Sequence, residues 1–201
     1  MNLARFKLLC LLVLVECLLV RMMVILLRQP VFPDKAGLIL VWLFPIVFGI
    51  HLTEEFAFPG GYSDWHKGYR PQFNLSVTNS YLIKLNAGAL VLAVLCCLGA
   101  FDYRGGYAAG LISWLIFVCV MASNALFHLR GTIQSRRYSP GVVTGLALHL
   151  PLAAVAIGYF VRSRVVHWAS AIFCLTIGLL FQPVLDRFHA RRVRMQSGSH
   201  P

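Results

Sequence analysis

Six apolar runs alternate with short polar links along the chain, and each is about long enough to cross a bilayer as a helix. They cover roughly Leu8–Leu27, Gly37–Phe56, Ile83–Phe101, Tyr107–Leu129, Val142–Val161 and Val165–Leu185. The pattern predicts an all-α, polytopic transmembrane bundle of about six spans, with residues 1–186 as one domain and 187–201 as a basic cytoplasmic tail. The first run follows Arg5 and Lys7 and is too long for the apolar part of a signal peptide. No small-x-small site follows it, so it is read as a retained span. Pro45, inside the second run, predicts a kink shortly before residue 51. The longest link, Ala57–Tyr81, carries Tyr62, Trp65 and Tyr69 and is expected either to anchor in the membrane interface or to cover a site.

Composition agrees with this pattern. Hydrophobic residues make up 59% of the chain and charged residues 12%, about half the charged fraction of a soluble domain. The net charge of +11 sits mainly in the links and the tail, where it reads as a topology signal and speaks against nucleic acid as a partner. Six spans place both ends on one side. That side collects Arg5, Lys7, Lys67, Arg70, Lys84, Arg130, Arg136, Arg137 and the tail arginines, against Arg28, Lys35, Arg104, Arg162 and Arg164 opposite. The bias predicts cytoplasmic termini in an inner or plasma membrane, with the sequon Asn74-Leu75-Ser76 unmodified on the same side. Cys10, Cys17, Cys96, Cys97, Cys119 and Cys174 all lie in apolar runs without CxxC spacing, and are expected to be buried free thiols.

Ionisable residues inside the apolar runs supply the candidate chemistry. On a helix, His51 and Glu55 lie about 40° apart, with Glu54 about 60° to the other side of His51. Leaving such groups unpaired near hydrocarbon costs on the order of a few kcal/mol each, so they need partners. Asn124 and His128, four residues apart, end the fourth run, and His149 lies about two turns into the fifth. The topology brings all six to within about 10 Å of one membrane boundary. Three histidines and two glutamates form a nitrogen/oxygen ligand set suited to zinc, or to iron or manganese. The expected ligands are His51, Glu55, His128 and His149, with Glu54 as general base and Asn124 stabilising an oxyanion or supporting a ligand. Arg136 and Arg137 are candidates for holding an anionic headgroup, beside their plainer role as topology signals. Glu16 is an interior candidate in the first span, His66 joins the site only if its loop folds back, and His167 falls at the opposite membrane face.

The same residues carry a resemblance. His51-x-x-Glu54-Glu55, Asn124-x-x-x-His128 and Arg136-x-x-Ser139-Pro140-Gly141 resemble, in order, three motifs of the HXXEE-domain family of integral membrane proteins, whose function is unknown. The resemblance implies membrane location and a polar or metal site, and no particular reaction. The first motif is also similar to the HxxEH helix of inverted zinc peptidases, with Glu55 in place of the second histidine; that difference speaks against proteolysis. Together these features predict an intramembrane metal-dependent, hydrolase-like enzyme acting on a lipid or other membrane-soluble small molecule within the bilayer. The alternatives are a cation- or proton-coupled transporter and a membrane scaffold with a structural polar cluster.

Overall fold

The computed structural model describes residues 3–29, 34–74, 77–100 and 108–197, and these form an all-α bundle. The chain runs through α1 (Leu3–Leu27), α2 (Lys35–Leu52), α3 (Tyr62–Tyr69), α4 (Asn79–Gly99), α5 (Ala108–Ser135), α6 (Val142–Thr144), α7 (Leu150–Arg162) and α8 (Trp168–Ser197). Two single π-helical turns interrupt it, Thr53–Ala57 after α2 and Gly145–His149 between α6 and α7. Six stretches are long and apolar enough to cross a membrane: Leu3–Leu27, Lys35–Ala57, Ser80–Gly99, Ala109–Ser135, Val142–Arg162 and Trp168–Met195. Leu75 and Ser76 of the sequon, and residues 101–107 between the third and fourth runs, lie outside the described residues.

The spanning helices divide into an enclosed pair and an outer set. α2 and α5 carry most of the buried side chains, including Trp42, Phe44, Phe48, Trp114 and Leu115, and Phe160 of α7 packs among them. α1, α4 and α8 turn most of their length outward, presenting residues such as Leu14, Val91 and Leu179. In a bilayer such faces meet lipid at no cost, and association rests on close packing and polar contacts between helices. Cys10 and Cys17 lie on the outward face of α1, whereas Cys97, Cys119 and Cys174 are buried; all are free thiols. At the end of α2 remote from His51, Asp34 accepts from Gly37 N at 3.0 Å and from the Tyr159 hydroxyl at 2.5 Å, tying α2 to α7.

Hydropathy misplaces the ends of two helices. α5 continues past Leu129 to Ser135, and α8 continues past Leu185 to Ser197. A helix keeps its backbone hydrogen bonds beyond the hydrocarbon, so the end of an apolar run need not be the end of the helix. In α8 the added turns are used: His189 is buried with its ring 5.8 Å from Phe73 and 5.6 Å from Tyr81. The long link folds back over the bundle end. Trp65 of α3 rests on α5 at Gly131, where a Cβ would come within 2.5 Å of the indole. The link therefore makes the contacts expected of a cover.

Candidate metal centre

Two helices, α2 with the π-turn that continues it and α5, deliver ligand atoms to one point beneath that cover. The imidazole Nε2 of His51 lies 3.3 Å from Glu55 Oε1, and that of His128 lies 3.0 Å from the same oxygen. All three residues are buried, and their ligand atoms lie within 4.8 Å of one another. Asn124 Nδ2 stands 3.3 Å from His51 Nε2 and 3.2 Å from His128 Nε2, and Asn124 Oδ1 accepts from Gln182 Nε2 at 3.1 Å. His149 stands just outside the trio. Its ring centroid is 5.0 Å from that of His51, and its buried Nε2 has no hydrogen-bond partner among the described residues.

Hydrogen bonding on the far side of each ring orients these nitrogens. The Thr144 hydroxyl donates to Glu54 Oε2 at 2.5 Å, so its one proton is used. At 2.8 Å it can then only accept from His51 Nδ1–H. This chain of donors fixes the His51 tautomer and leaves the Nε2 lone pair facing Glu55 and His128. Nδ1 of His128 is likewise engaged, 2.8 Å from Ser139 Oγ. Metal-binding histidines are oriented in this way, with the second ring nitrogen held by an oxygen partner.

The structure places Glu54 away from the trio. Its Oε1 accepts from Gly141 N at 2.8 Å, Val143 N at 3.1 Å and the Tyr138 hydroxyl, and its Oε2 accepts from Thr144 N at 2.7 Å as well as from the Thr144 hydroxyl. Both oxygens are thus occupied by the 138–144 segment. Burial and this contact with Glu54 raise the Tyr138 pKa, so the phenol stays a donor at neutral pH. A carboxylate so engaged is a poor general base, because taking a proton would break the bonds that hold it. The π-helical turn at Thr53–Ala57 sends consecutive glutamates to different partners, Glu54 to the loop and Glu55 to the imidazoles. Such turns often mark functional positions in helices.

Gly141 closes the site from the loop side. Its φ is +102°, and a Cβ there would lie 2.8 Å from Cε1 of both His51 and His128. Gly141→Ala therefore combines a left-handed backbone with overpacking against two imidazoles. The expected cost is about 3 kcal/mol, read as a fall in thermal unfolding temperature by differential scanning fluorimetry.

The remaining candidates lie elsewhere. Arg136 and Arg137 are exposed at the loop, and neither touches the cluster. Both carboxylate oxygens of Glu16 are buried against Gly49, where a Cβ would sit 1.4 Å from Oε1. Gly49 and His51 are two positions apart on α2, so Glu16 contacts the face roughly opposite the site. Ser139, Tyr138, Thr144 and Gln182 are the residues sequence reasoning missed. The Arg136-x-x-Ser139-Pro140-Gly141 motif was the available signal for the first of them.

α3 seals the cluster with aromatic rings. Trp65 stacks over His128 at 6.1 Å with 25° between planes, and Tyr62 lies 5.4 Å from the same ring. Arg70, just after α3, pairs with Asp186 of α8, and its guanidinium sits 4.7 Å over the Phe127 ring. Burial first, and then the Arg70 charge, pull the His66 pKa down to about 4. An exposed histidine titrates near 6.5, so the docked state favours neutral His66. Its contribution to docking is complete above about pH 6.5 and is lost as pH falls through about 4. Hydrogen exchange of the α3 amides is expected to accelerate across that window, and His66→Phe to flatten the transition.

Comparison with known proteins covers the same part of the chain. The model of the family described as "Protein of unknown function with HXXEE motif" matches residues 42–156, more than half of the chain. The match takes in the trio, Asn124, the Ser139–Thr144 loop and His149. An uncharacterized Bacillus subtilis (strain 168) protein, YrkK, is 26% identical over 113 residues, covering 54% of this chain and 70% of that protein. No solved structure matches.

Proposed function

We propose that this chain, which belongs to the family of proteins of unknown function with an HXXEE motif, holds a divalent metal at His51, Glu55 and His128 and acts as a hydrolase-like membrane enzyme. Zinc fits the donor set best, with iron or manganese next. One observation carries the reading. Two imidazole Nε2 atoms and a carboxylate oxygen converge, and with a lone pair on each nitrogen the three acceptors repel one another unless a cation lies between them. Asn124 offers hydrogens to the two nitrogens but none to Glu55 Oε1. The separations of 3.0 and 3.3 Å also suit ligand atoms sharing an ion, since bonds of about 2.0–2.2 Å put neighbouring ligands roughly 3–3.5 Å apart. The orphan Nε2 of His149 is the natural fourth donor.

Such an ion supplies Lewis acidity, polarising an acyl or phosphoryl oxygen or acidifying a water. The chain's own residues supply the rest. Thr144 and Ser139 hold the two imidazoles, and Glu54 anchors the loop that carries both hydroxyls. Gln182 turns the Asn124 amide so that its N–H groups face the cluster, where they can donate to a developing oxyanion. Trp65 and Tyr62 exclude bulk water. The substrate is a lipid or another membrane-soluble small molecule, because the centre lies at the end of spanning helices. The basic bias of the links and tail supports a cytoplasmic position for that end.

A second reading rests on the same contact. A proton on one imidazole satisfies Glu55 Oε1 equally well and leaves a structural cluster that locks α2 to α5. Turnover separates the two. Protein in lipid nanodiscs, incubated with membrane lipid extract, is expected to release water-added products detectable by mass spectrometry when metal-loaded, and none after chelation. Metal without any turnover would leave a binding protein; absence of metal would favour the structural cluster.

A further inference from the structure

Glu55 and Tyr62 line two separate cavities. The first, about 130 Å³, lies between α4, α5 and α8. Its walls combine Ala89, Phe117 and Met121 with the Arg70–Asp186 pair, its floor is Glu55 with Asn124, and on its apolar side the lining residues Leu85 and Phe181 are exposed on spanning helices. It therefore opens sideways, toward hydrocarbon. The second, about 390 Å³, lies between the start of α1 and α3. It is bounded by Arg5, Ser63, Asp64 and Lys67, and so opens toward water. The Ser63 hydroxyl is buried with no hydrogen-bond partner among the described residues, which suits a cavity with a polar occupant.

Resting on the metal-enzyme reading, we infer that the centre is served from two sides, with Tyr62 as the partition between a lateral hydrocarbon-chain site and a water-side polar site. The substrate is then an amphiphile. Its chain lies between α4 and α8, its reacting group meets Glu55, and its polar part or the incoming water occupies the Arg5–Lys67 side. Tyr62 is suited to divide the two because it is buried and held by its neighbours, with ring centroids 5.9 Å from Phe56 and 5.8 Å from His66. Burial and the Glu55 charge push its pKa up, so it stands there as a neutral phenol.

Thiol labelling in phosphatidylcholine nanodiscs, read residue by residue by peptide mass spectrometry, tests this in the otherwise natural chain. Ser63→Cys is expected to react with a negatively charged, water-soluble methanethiosulfonate. Ala89→Cys is expected to resist that reagent and to react with a lipid-soluble N-alkylmaleimide. Adding Tyr62→Ala to Ala89→Cys should join the cavities and raise aqueous labelling by at least an order of magnitude, while Tyr62→Phe should leave it closed. An unreactive Ser63→Cys, or equal aqueous labelling of both positions with Tyr62 in place, would overturn the two-sided arrangement. If Tyr62→Ala does not fold, the two single-cysteine variants decide alone. The labelling needs no bound metal, so its failure and the failure of the metal reading are distinguishable.

Discussion

His51→Ala, purified without chelators, is expected to lose its metal and remain a folded bundle. The natural chain should carry about one ion per molecule, and the variant less than about a tenth of that. The imidazole is the one ligand that reaches Glu55, Asn124 and the Thr144 relay together, so nothing nearby can replace it. The bundle should survive because its packing is centred on Phe44, Trp114 and Phe160, away from the ring. Far-ultraviolet circular dichroism and size-exclusion behaviour report folding, and plasma mass spectrometry reports metal. His128→Ala should behave alike. His149→Ala should weaken binding without abolishing it, since its nitrogen stands beside the trio. Arg136→Ala, at an exposed position remote from the cluster, should change neither. Loss of the fold together with the metal would favour the structural cluster instead.

Glu54→Gln is expected to weaken metal binding by about 10- to 100-fold, the usual effect of disturbing a histidine's outer partner. The reason is a reversal of donors. An amide NH₂ in place of Glu54 Oε2 would donate to the Thr144 hydroxyl, which would then turn its own proton toward His51 Nδ1. His51 would have to carry its hydrogen on Nε2, the nitrogen the metal needs. Glu54→Ala goes further, leaving the backbone N–H groups of Gly141, Val143 and Thr144 without their acceptor, for a loss of about 3–5 kcal/mol of stability. Competition titration against a chromophoric chelator measures the first effect, and nitrogen chemical shifts of His51 report the tautomer. A water-activating base at Glu54 would show the opposite pattern, with turnover lost while metal affinity and stability stay unchanged.

The contrast between the two glutamates shows how far sequence reasoning reaches. His51 and Glu55 are legible as partners because four residues on a regular helix bring two side chains to one face. Their meeting with His128 is legible because alternating spans set the depth of each run. Glu54 was assigned to the metal site by its place beside His51 on the helix, but its oxygens are taken up by the Gly141–Thr144 backbone, a loop path that periodicity does not report. Ser139, Thr144 and Tyr138 act from a loop whose path is set by Gly141 and Glu54 rather than by periodicity. Gln182 is one polar residue in an apolar helix, and its role appears only once α8 packs on α5. The Ala57–Tyr81 link was readable as anchor or cover; Trp65 docking at Gly131 and stacking over His128 gives it the contacts of a cover.

The central claim is that a cation belongs among two imidazoles and a carboxylate. Anomalous scattering from crystals of unchelated protein, collected on both sides of the zinc, iron and manganese absorption edges, tests it most directly. The account predicts one peak bounded by His51 Nε2, His128 Nε2 and Glu55 Oε1, with His149 turned toward it. A crystal with no anomalous peak among these residues, and a hydrogen-bonded His128–Glu55 contact in its place, would contradict it.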